Sequence, residues 1–309
     1  MATQRNQRGT TLIELITVIS ILGVIASVAS VFIRGPIDAY VDSTRRAGLT
    51  DSADTAMRRI ARDIRKALPN STRIKNPVGL PVDGPRVDEC LEFIPTKMAG
   101  RYRAVPNVSA TANGDILNFV AADPSFNMMG LNSDLPADQQ IKVGDVVAVY
   151  NLGARAVPGA DDNTGADAYT GANTSLVSGV SVHTVLGQEA TINIDPPKLF
   201  PLASGSKRFY VIPKEENIVA YACTFDSNGV GNLRRMVRSF DPDDSPGDYC
   251  KSKDGLINGP ILASNVSSCK FEYDDSDLQR NEPVRLTITF TDSGESISLY
   301  HQVSENNWP

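Results

Sequence analysis

Histidine is nearly absent: His183 and His301 are the only two in 309 residues. Nucleophilic catalysis needs a base beside a serine or cysteine, and histidine supplies it most often. Both histidines fall in strand-like contexts that suit surface or structural roles. There is no Gly-rich phosphate loop, no His-Glu-x-x-His and no nucleophile elbow. Carboxylates abound, but acidic loops do not provide the unlike environments that poise an acid and a base. The expectation is no enzyme, no catalytic residue and no cofactor. Cys-x-x-Cys is missing as well; Cys90, Cys223, Cys250 and Cys269 are widely spaced, which argues against zinc and predicts no metal site. Nor is there an excess of basic residues. Thirty Lys and Arg against 36 Asp and Glu give −6, which excludes nucleic acid as an expected partner.

What the chain does have is one long apolar run near its start. After Arg5 and Arg8 comes Gly9-Thr10-Thr11-Leu12-Ile13-Glu14, and from there the sequence stays apolar to Ile33. As a helix, residues 11–33 would reach roughly 35 Å, enough for a bilayer core of about 30 Å. Glu14 is the only ionisable side chain in that run, and a lone carboxylate at mid-bilayer costs on the order of 3 kcal/mol. Its place in the first helical turn lowers the cost, because the helix start carries partial positive charge. A free amine nearby would lower it further. Cutting after Gly9 would create one on Thr10 and remove the two leader arginines, leaving 28 basic against 36 acidic residues, or −8. Two plainer readings compete. One is a secretory signal cleaved at the small residues Ser27-Val28-Ala29; a glutamate at the head of the apolar segment and the continuation of that segment past the site speak against it. The other is a signal anchor with an incidental Glu14. In each case the positive leader predicts a cytoplasmic amino end and an exported carboxyl end.

Arg34-Gly35-Pro36 reads as a bend or a helix restart where the chain leaves the bilayer. Helical periodicity then resumes: Ala53, Met57, Ile60, Ala61, Ile64 and Leu68 recur at three- and four-residue steps, with Arg58, Arg59, Arg62, Asp63, Arg65 and Lys66 on the other, solvated faces. An amphipathic helix over 34–69 is expected, stopped by Pro69-Asn70. Beyond it the signal changes to short alternating runs, and strands are predicted at 87–94, 115–121, 145–150, 181–186, 190–194, 208–212, 218–225, 233–240, 267–273, 284–291 and 296–303. The last two form the clearest hairpin, with Val284, Leu286, Ile288 and Phe290 opposite Ile297, Leu299 and His301 across Asp292-Ser293-Gly294. Turn pairs such as Asn113-Gly114 and Asn228-Gly229 support a sheet-rich head. The stretch 154–179, with Asp161-Asp162-Asn163-Thr164-Gly165-Ala166-Asp167, reads as a solvated loop that lacks the ligand spacing of an EF-hand. The acidic stretch 241–248 reads as a solvated turn, and Trp308, the only tryptophan, as packing on its own head. The fold class is therefore α+β: a long amino-terminal helix packed on a mainly antiparallel β-rich head spanning 70–309. In an exported head two disulfides are expected, and four cysteines allow three connectivities.

The Gly9-Thr10-Thr11-Leu12-Ile13-Glu14 motif with its apolar tail resembles the class III leader of type IV pilins and pseudopilins. Thr10 stands where phenylalanine is usual in that family. The resemblance implies a leader at 1–9 cut between Gly9 and Thr10 by a prepilin peptidase, methylation of the Thr10 amine, and a helix at 10–33 that anchors the protein and later forms filament core. It also implies that Glu14 pairs with the amino terminus of a neighbouring subunit during assembly. Runs in the head resemble minor pilins of the mannose-sensitive haemagglutinin type IV pilus system. Examples are Cys90-Leu91-Glu92-Phe93-Ile94-Pro95, Gly144-Asp145-Val146-Val147-Ala148-Val149-Tyr150, Asp167-Ala168-Tyr169-Thr170-Gly171 and Ser268-Cys269-Lys270-Phe271-Glu272-Tyr273. By that resemblance Cys223 joins Cys269, and Cys90 and Cys250 are left to pair. The implied partners are other major and minor pilins and the inner membrane. The implied location is the inner membrane of a Gram-negative bacterium with a periplasmic head, then the pilus, where the head's bulk suggests initiation or the tip. A minor pseudopilin of a type II secretion system and a membrane-anchored adhesin or binding module are the rival readings.

Overall fold

The computed structural model describes residues 9–75, 86–106, 114–153, 165–183, 187–226, 229–240, 250, 259–273 and 283–304. One helix, α1 (Leu12–Ile64), accounts for 53 residues and roughly 80 Å of length. Thr11 caps it, its hydroxyl accepting the Glu14 backbone N–H at 3.4 Å. Pro36 lies inside α1, so no restart occurs at Arg34-Gly35-Pro36. A proline there removes one backbone hydrogen bond, a loss of about 3 kcal/mol or more in a helix interior. Strong helical sequence on both sides and an exposed position, where water can serve the orphaned carbonyl, offset it. The helix also ends earlier than the pattern predicts. Arg65 and Lys66 already form a turn, and Ala67 makes a bridge to Pro95, so Leu68 is buried from a loop rather than from the helix.

Thirteen strands follow among the described residues. β1 (Arg73–Lys75) and β2 (Arg86–Phe93) begin a first sheet. The chain then leaves it for β3 (Met98–Arg101), β4 (Asp123–Met129), β5 (Val146–Ala148), β6 (Thr174–Val182), β7 (Glu189–Lys198) and β8 (Arg208–Ile212). These make a second sheet in the order β3-β8-β5-β6-β7-β4. The chain returns for β9 (Ile218–Phe225), β10 (Gly231–Arg238), β11 (Ile261–Glu272), β12 (Val284–Asp292) and β13 (Glu295–Val303). The first sheet is thereby completed as β1-β2-β9-β10-β11-β12-β13. Because β2 and β9 are neighbours, the whole second sheet is an insertion between two adjacent strands of the first. All strand pairings within the two sheets are antiparallel.

The carboxyl half of α1 lies on the first sheet. Leu49, Ala53, Ala56, Met57, Ile60, Ala61 and Ile64 share one core with Phe93, Tyr221, Phe225, Leu286, Ile288 and Phe290. The second sheet has its own core around Phe126, Ile192, Phe200 and Phe209. A smaller cluster joins the two, with Leu68, Ile94 and Ile218 meeting Ala148, Tyr210 and Ile212. Strand β9 is buried along its entire length, since α1 covers one face and Cys90, Met236 and Cys250 cover part of the other. In the β12–β13 hairpin, Leu286 pairs with His301, Ile288 with Leu299 and Phe290 with Ile297. Ser293 and Gly294 both adopt positive φ at its turn, the backbone that a two-residue hairpin loop requires.

Several assignments change. Residues 115–121 are irregular, and the strand comes just after them as β4. Its Asp-Pro start and polar Ser125 and Asn127 hide the alternation that buries Phe126 and Met128. The stretch 174–179, expected to be loop, belongs to β6, where Ser175 and Val177 are buried while Leu176 and Ser178 between and after them are exposed. Finally, Asp167 is not in a solvated loop: it is 2% exposed, and its Oδ1 accepts the Tyr169 backbone N–H at 3.0 Å. Residues 161–164, the acidic stretch 241–248, Asn113, Asn228, Trp308 and the leader residues before Gly9 lie outside the described residues.

Candidate functional site: the amino-terminal helix and its seat on the head

From residue 9 to residue 28 every side chain is exposed, including Leu12, Ile13, Ile16, Ile19, Leu22 and Ile25. Among the described residues α1 is the one helix long and apolar enough to cross a membrane. Three of its hydroxyls are internally satisfied: Thr17 donates to the Glu14 carbonyl at 2.9 Å, Ser20 to Ile16 at 2.8 Å and Ser27 to Val24 at 2.7 Å. That is what a polar side chain needs in lipid. Glu14 is different. It sits in the first turn, and among the described residues its carboxylate has no hydrogen-bond or ion-pair partner. Gly9 and Thr10 precede the helix outside regular secondary structure, and both are exposed. An exposed segment, a helix start and one acid without a partner among the described residues thus lie within a few residues of each other.

At the other end α1 is fastened to the head by polar ties that the sequence reading missed. Tyr221 on β9 donates its hydroxyl to Asp63 at 2.7 Å, and Arg235 on β10 donates to the same carboxylate oxygen at 3.0 Å. Arg235 also grips Glu216 with both terminal nitrogens, at 3.1 and 3.0 Å. Burial works against the charge of Arg235, yet the Glu216 and Asp63 carboxylates outweigh it and hold the guanidinium above its ordinary value. Burial and then the neighbouring Asp63 raise the Tyr221 phenol well above its usual range, so it stays a donor. Lower on the helix, Arg46 reaches Glu295 of β13 at 2.6 Å. Asp63 is the one acid in Arg58-Arg59-Ile60-Ala61-Arg62-Asp63-Ile64-Arg65-Lys66, and that exception was the available signal.

A second tie holds the far face of the first sheet. Glu92 is fully buried and accepts from Arg73 at 2.6 Å, from Arg238 at 3.0 Å and from the Cys250 backbone N–H at 3.2 Å. The Arg73 guanidinium also lies 3.3 Å from the centroid of the Tyr169 ring, a cation–π contact that links the two sheets. A charged residue between Leu91 and Phe93 in an apolar strand was the sequence mark of this pair. Cys90 is bonded to Cys250 with Cα atoms 6.4 Å apart, and Cys223 to Cys269 at 6.2 Å. The bridges lie on opposite faces of the first sheet, since Cys223 and Cys269 belong to the core beneath α1 and Cys90 and Cys250 to the cluster on the other side. His183 follows β6 in the second sheet and His301 lies on β13 in the first, so the fold does not bring them together. Among the described residues no group of three or more His, Cys, Asp or Glu is arranged to hold a metal ion.

Residues 4–30 match the family model described as the prokaryotic N-terminal methylation motif. The amino terminus is a type IV pilin-like prepilin leader. Such a leader implies processing by a prepilin peptidase and membrane anchoring through the helix that follows. The match covers the amino-terminal segment alone and does not describe the head. No curated protein and no solved structure matches the chain.

Proposed function

We propose that the protein is a minor pilin, a structural subunit and not a catalyst. In this reading prepilin peptidase cuts after Gly9, the new amine on Thr10 is methylated, and the 10–33 segment serves first as inner-membrane anchor and then as filament core. The observation that carries the reading is the exposure of the amino half of α1. An apolar surface on all sides of a helix with no partner in its own chain needs lipid or other helices around it. One helix can use both in turn if its single acid can be neutralised in each setting. Glu14, without a partner among the described residues, is placed to accept the Thr10 amine of a neighbouring subunit, which gives that subunit a defined axial position.

The finer assignment is to a pilus of the mannose-sensitive haemagglutinin type, with the protein in the place of its minor pilin MshO. The supports are the likeness of the head runs and the bulk of a two-sheet head, which would crowd a tightly wound shaft and fits initiation or the tip. Its partners are then the other major and minor pilins, and its head faces the periplasm before display on the pilus. The test is intact-mass measurement of the protein from membranes and from sheared fibres, together with Glu14→Ala. The expected result is a mature chain starting at a methylated Thr10, and a variant that still inserts in the membrane but fails to enter fibres. A native chain beginning near Ser30, or unchanged entry of the variant, would overturn the proposal. Loss of protein secretion with normal fibres on depletion would move the chain to the pseudopilins.

A further inference from the structure

The junction between α1 and the two sheets encloses an open cleft of about 790 Å3. That volume lies within the range of about 300–1,000 Å3 typical of small-ligand sites. Six cationic and three carboxylate side chains line it, an excess of positive charge in a chain whose net charge is −6. The charges are not all paired. Arg235 is held by Asp63 and Glu216, Arg59 approaches Asp63 at 3.4 Å, and Lys97 is neutralised by Asp145 at 2.5 Å. Arg65, Lys66 and Arg208 have no carboxylate partner among the described residues. Arg65 and Lys66 at the end of α1 suit the negative pole of the helix. That does not explain Arg208, which comes from β8 and whose side chain bonds the neutral Tyr210 hydroxyl.

The walls are rigid. Thr96 N–H and hydroxyl both donate to the Lys66 carbonyl, at 2.7 and 2.9 Å, and Leu68 N–H donates to Ile94 at 2.7 Å. Strand β3 is locked to β8 through Met98–Val211 and Ala99–Tyr210. The backbone that carries these cations is therefore fixed before any ligand arrives, while the Arg65 and Lys66 side chains stay exposed. We propose that this cleft binds a carboxylate-bearing saccharide, its carboxylate taken by Arg208 with Arg65 and Lys66, and its hydroxyls by Asp138 and Gln139 on the opposite rim. Guanidinium groups match a carboxylate with two parallel hydrogen bonds. Half-buried Pro213 in the lining offers the C–H face of a sugar ring an apolar contact. Carboxylates on the same walls disfavour a ligand with closely spaced charges, such as a polyphosphate or a nucleic-acid backbone. A lipid headgroup is excluded by distance, since the 29 residues from Ile33 to Arg62 lift the cleft roughly 44 Å along α1 from the apolar run.

The test is calorimetric titration of the full-length protein in detergent micelles with trigalacturonate, with the neutral galactose trimer and with inorganic pyrophosphate. Trigalacturonate is expected to bind saturably and to weaken with added salt, while the neutral trimer does not bind. The Arg65→Gln, Lys66→Gln, Arg208→Gln variant is expected to bind about tenfold more weakly or worse, the loss from removing a charge-assisted hydrogen bond. Lys142→Gln, outside the cleft, is expected to bind normally. A melting curve separates a folding defect from a binding defect, and Arg208→Lys in place of the triple change retains the charge and part of the affinity. Equal binding of the neutral trimer, tighter binding of pyrophosphate, no saturable binding at millimolar trigalacturonate, or an unaffected triple variant would each overturn the proposal.

Discussion

Between residues 12 and 40 α1 buries no side chain, whereas between 49 and 64 it buries seven. Backbone geometry is the same in both halves; only the distribution of apolar residues differs. In the amino half they go all round the helix, so no single protein face could cover them. In the carboxyl half they form one stripe, with Arg58 and Arg62 left in water, and the first sheet covers that stripe. The contrast separates two tasks along one rod: association with lipid or with other helices below, and fixed attachment of a head above.

The sharpest way to break the attachment is at Glu92. Glu92→Ala leaves Arg73 and Arg238 buried without their carboxylate, and loss of about 3–5 kcal/mol is expected, the typical penalty for breaking a buried ion pair. Thermal melting of the detergent-solubilised protein should show a large drop. Next comes the stripe itself. Ile60→Ala should cost about 2–5 kcal/mol through lost burial and a residual cavity, while Val28→Ala, on a side chain 51% exposed, should leave head melting unchanged. Equal effects at the two positions would erase the contrast between the halves. A smaller change is expected from Tyr221→Phe, which removes the hydrogen bond to Asp63 and should lower stability by about 1–2 kcal/mol in urea unfolding.

The weakest effect concerns the second sheet, which α1 scarcely touches. The Arg103 guanidinium bonds Glu189 at 2.9 Å and, with Asn127, holds its carboxyl below the ordinary 4.5. A depressed folded value means that the contribution is present above the unfolded value and disappears as pH falls through the folded one. Acid titration of the melting point below about pH 4.5 should therefore reveal it, and Arg103→Gln should flatten that part of the profile. If the pair acts only locally, the same variant should leave the α1 seat intact, read from an unchanged response to Tyr221→Phe.

Much of the architecture was legible in the residues, where a single period ran long enough. The apolar run after Glu14 and the three- and four-residue steps from Ala53 to Ile64 marked the helix. Alternation through Val284, Leu286, Ile288 and Phe290 marked the last hairpin and the residues that face each other across it. Strands β4 and β6 were not legible, because in β4 polar Ser125 and Asn127 interrupt the alternation of Phe126 and Met128, and in β6 the inward positions are Ser175 and Val177. Their burial is set by what the neighbouring strands present. The polar ties fall between these cases: Asp63 and Glu92 stood out as exceptions in their segments, but nothing local named Tyr221, Arg235 or Arg238 as their partners.

Local chemistry alone determined that this chain has a cleavable-looking leader, a lone acid at the start of an apolar helix, and a strand-rich remainder, because each depends on residues within one or two turns or one strand. Tertiary structure decided that the remainder is two sheets, one inserted between neighbouring strands of the other, and that Arg65, Lys66 and Arg208 meet at their junction. Those facts depend on contacts between segments more than a hundred residues apart. Their partners are chosen by the surface left uncovered when each sheet closes, and no short window of sequence contains both sides.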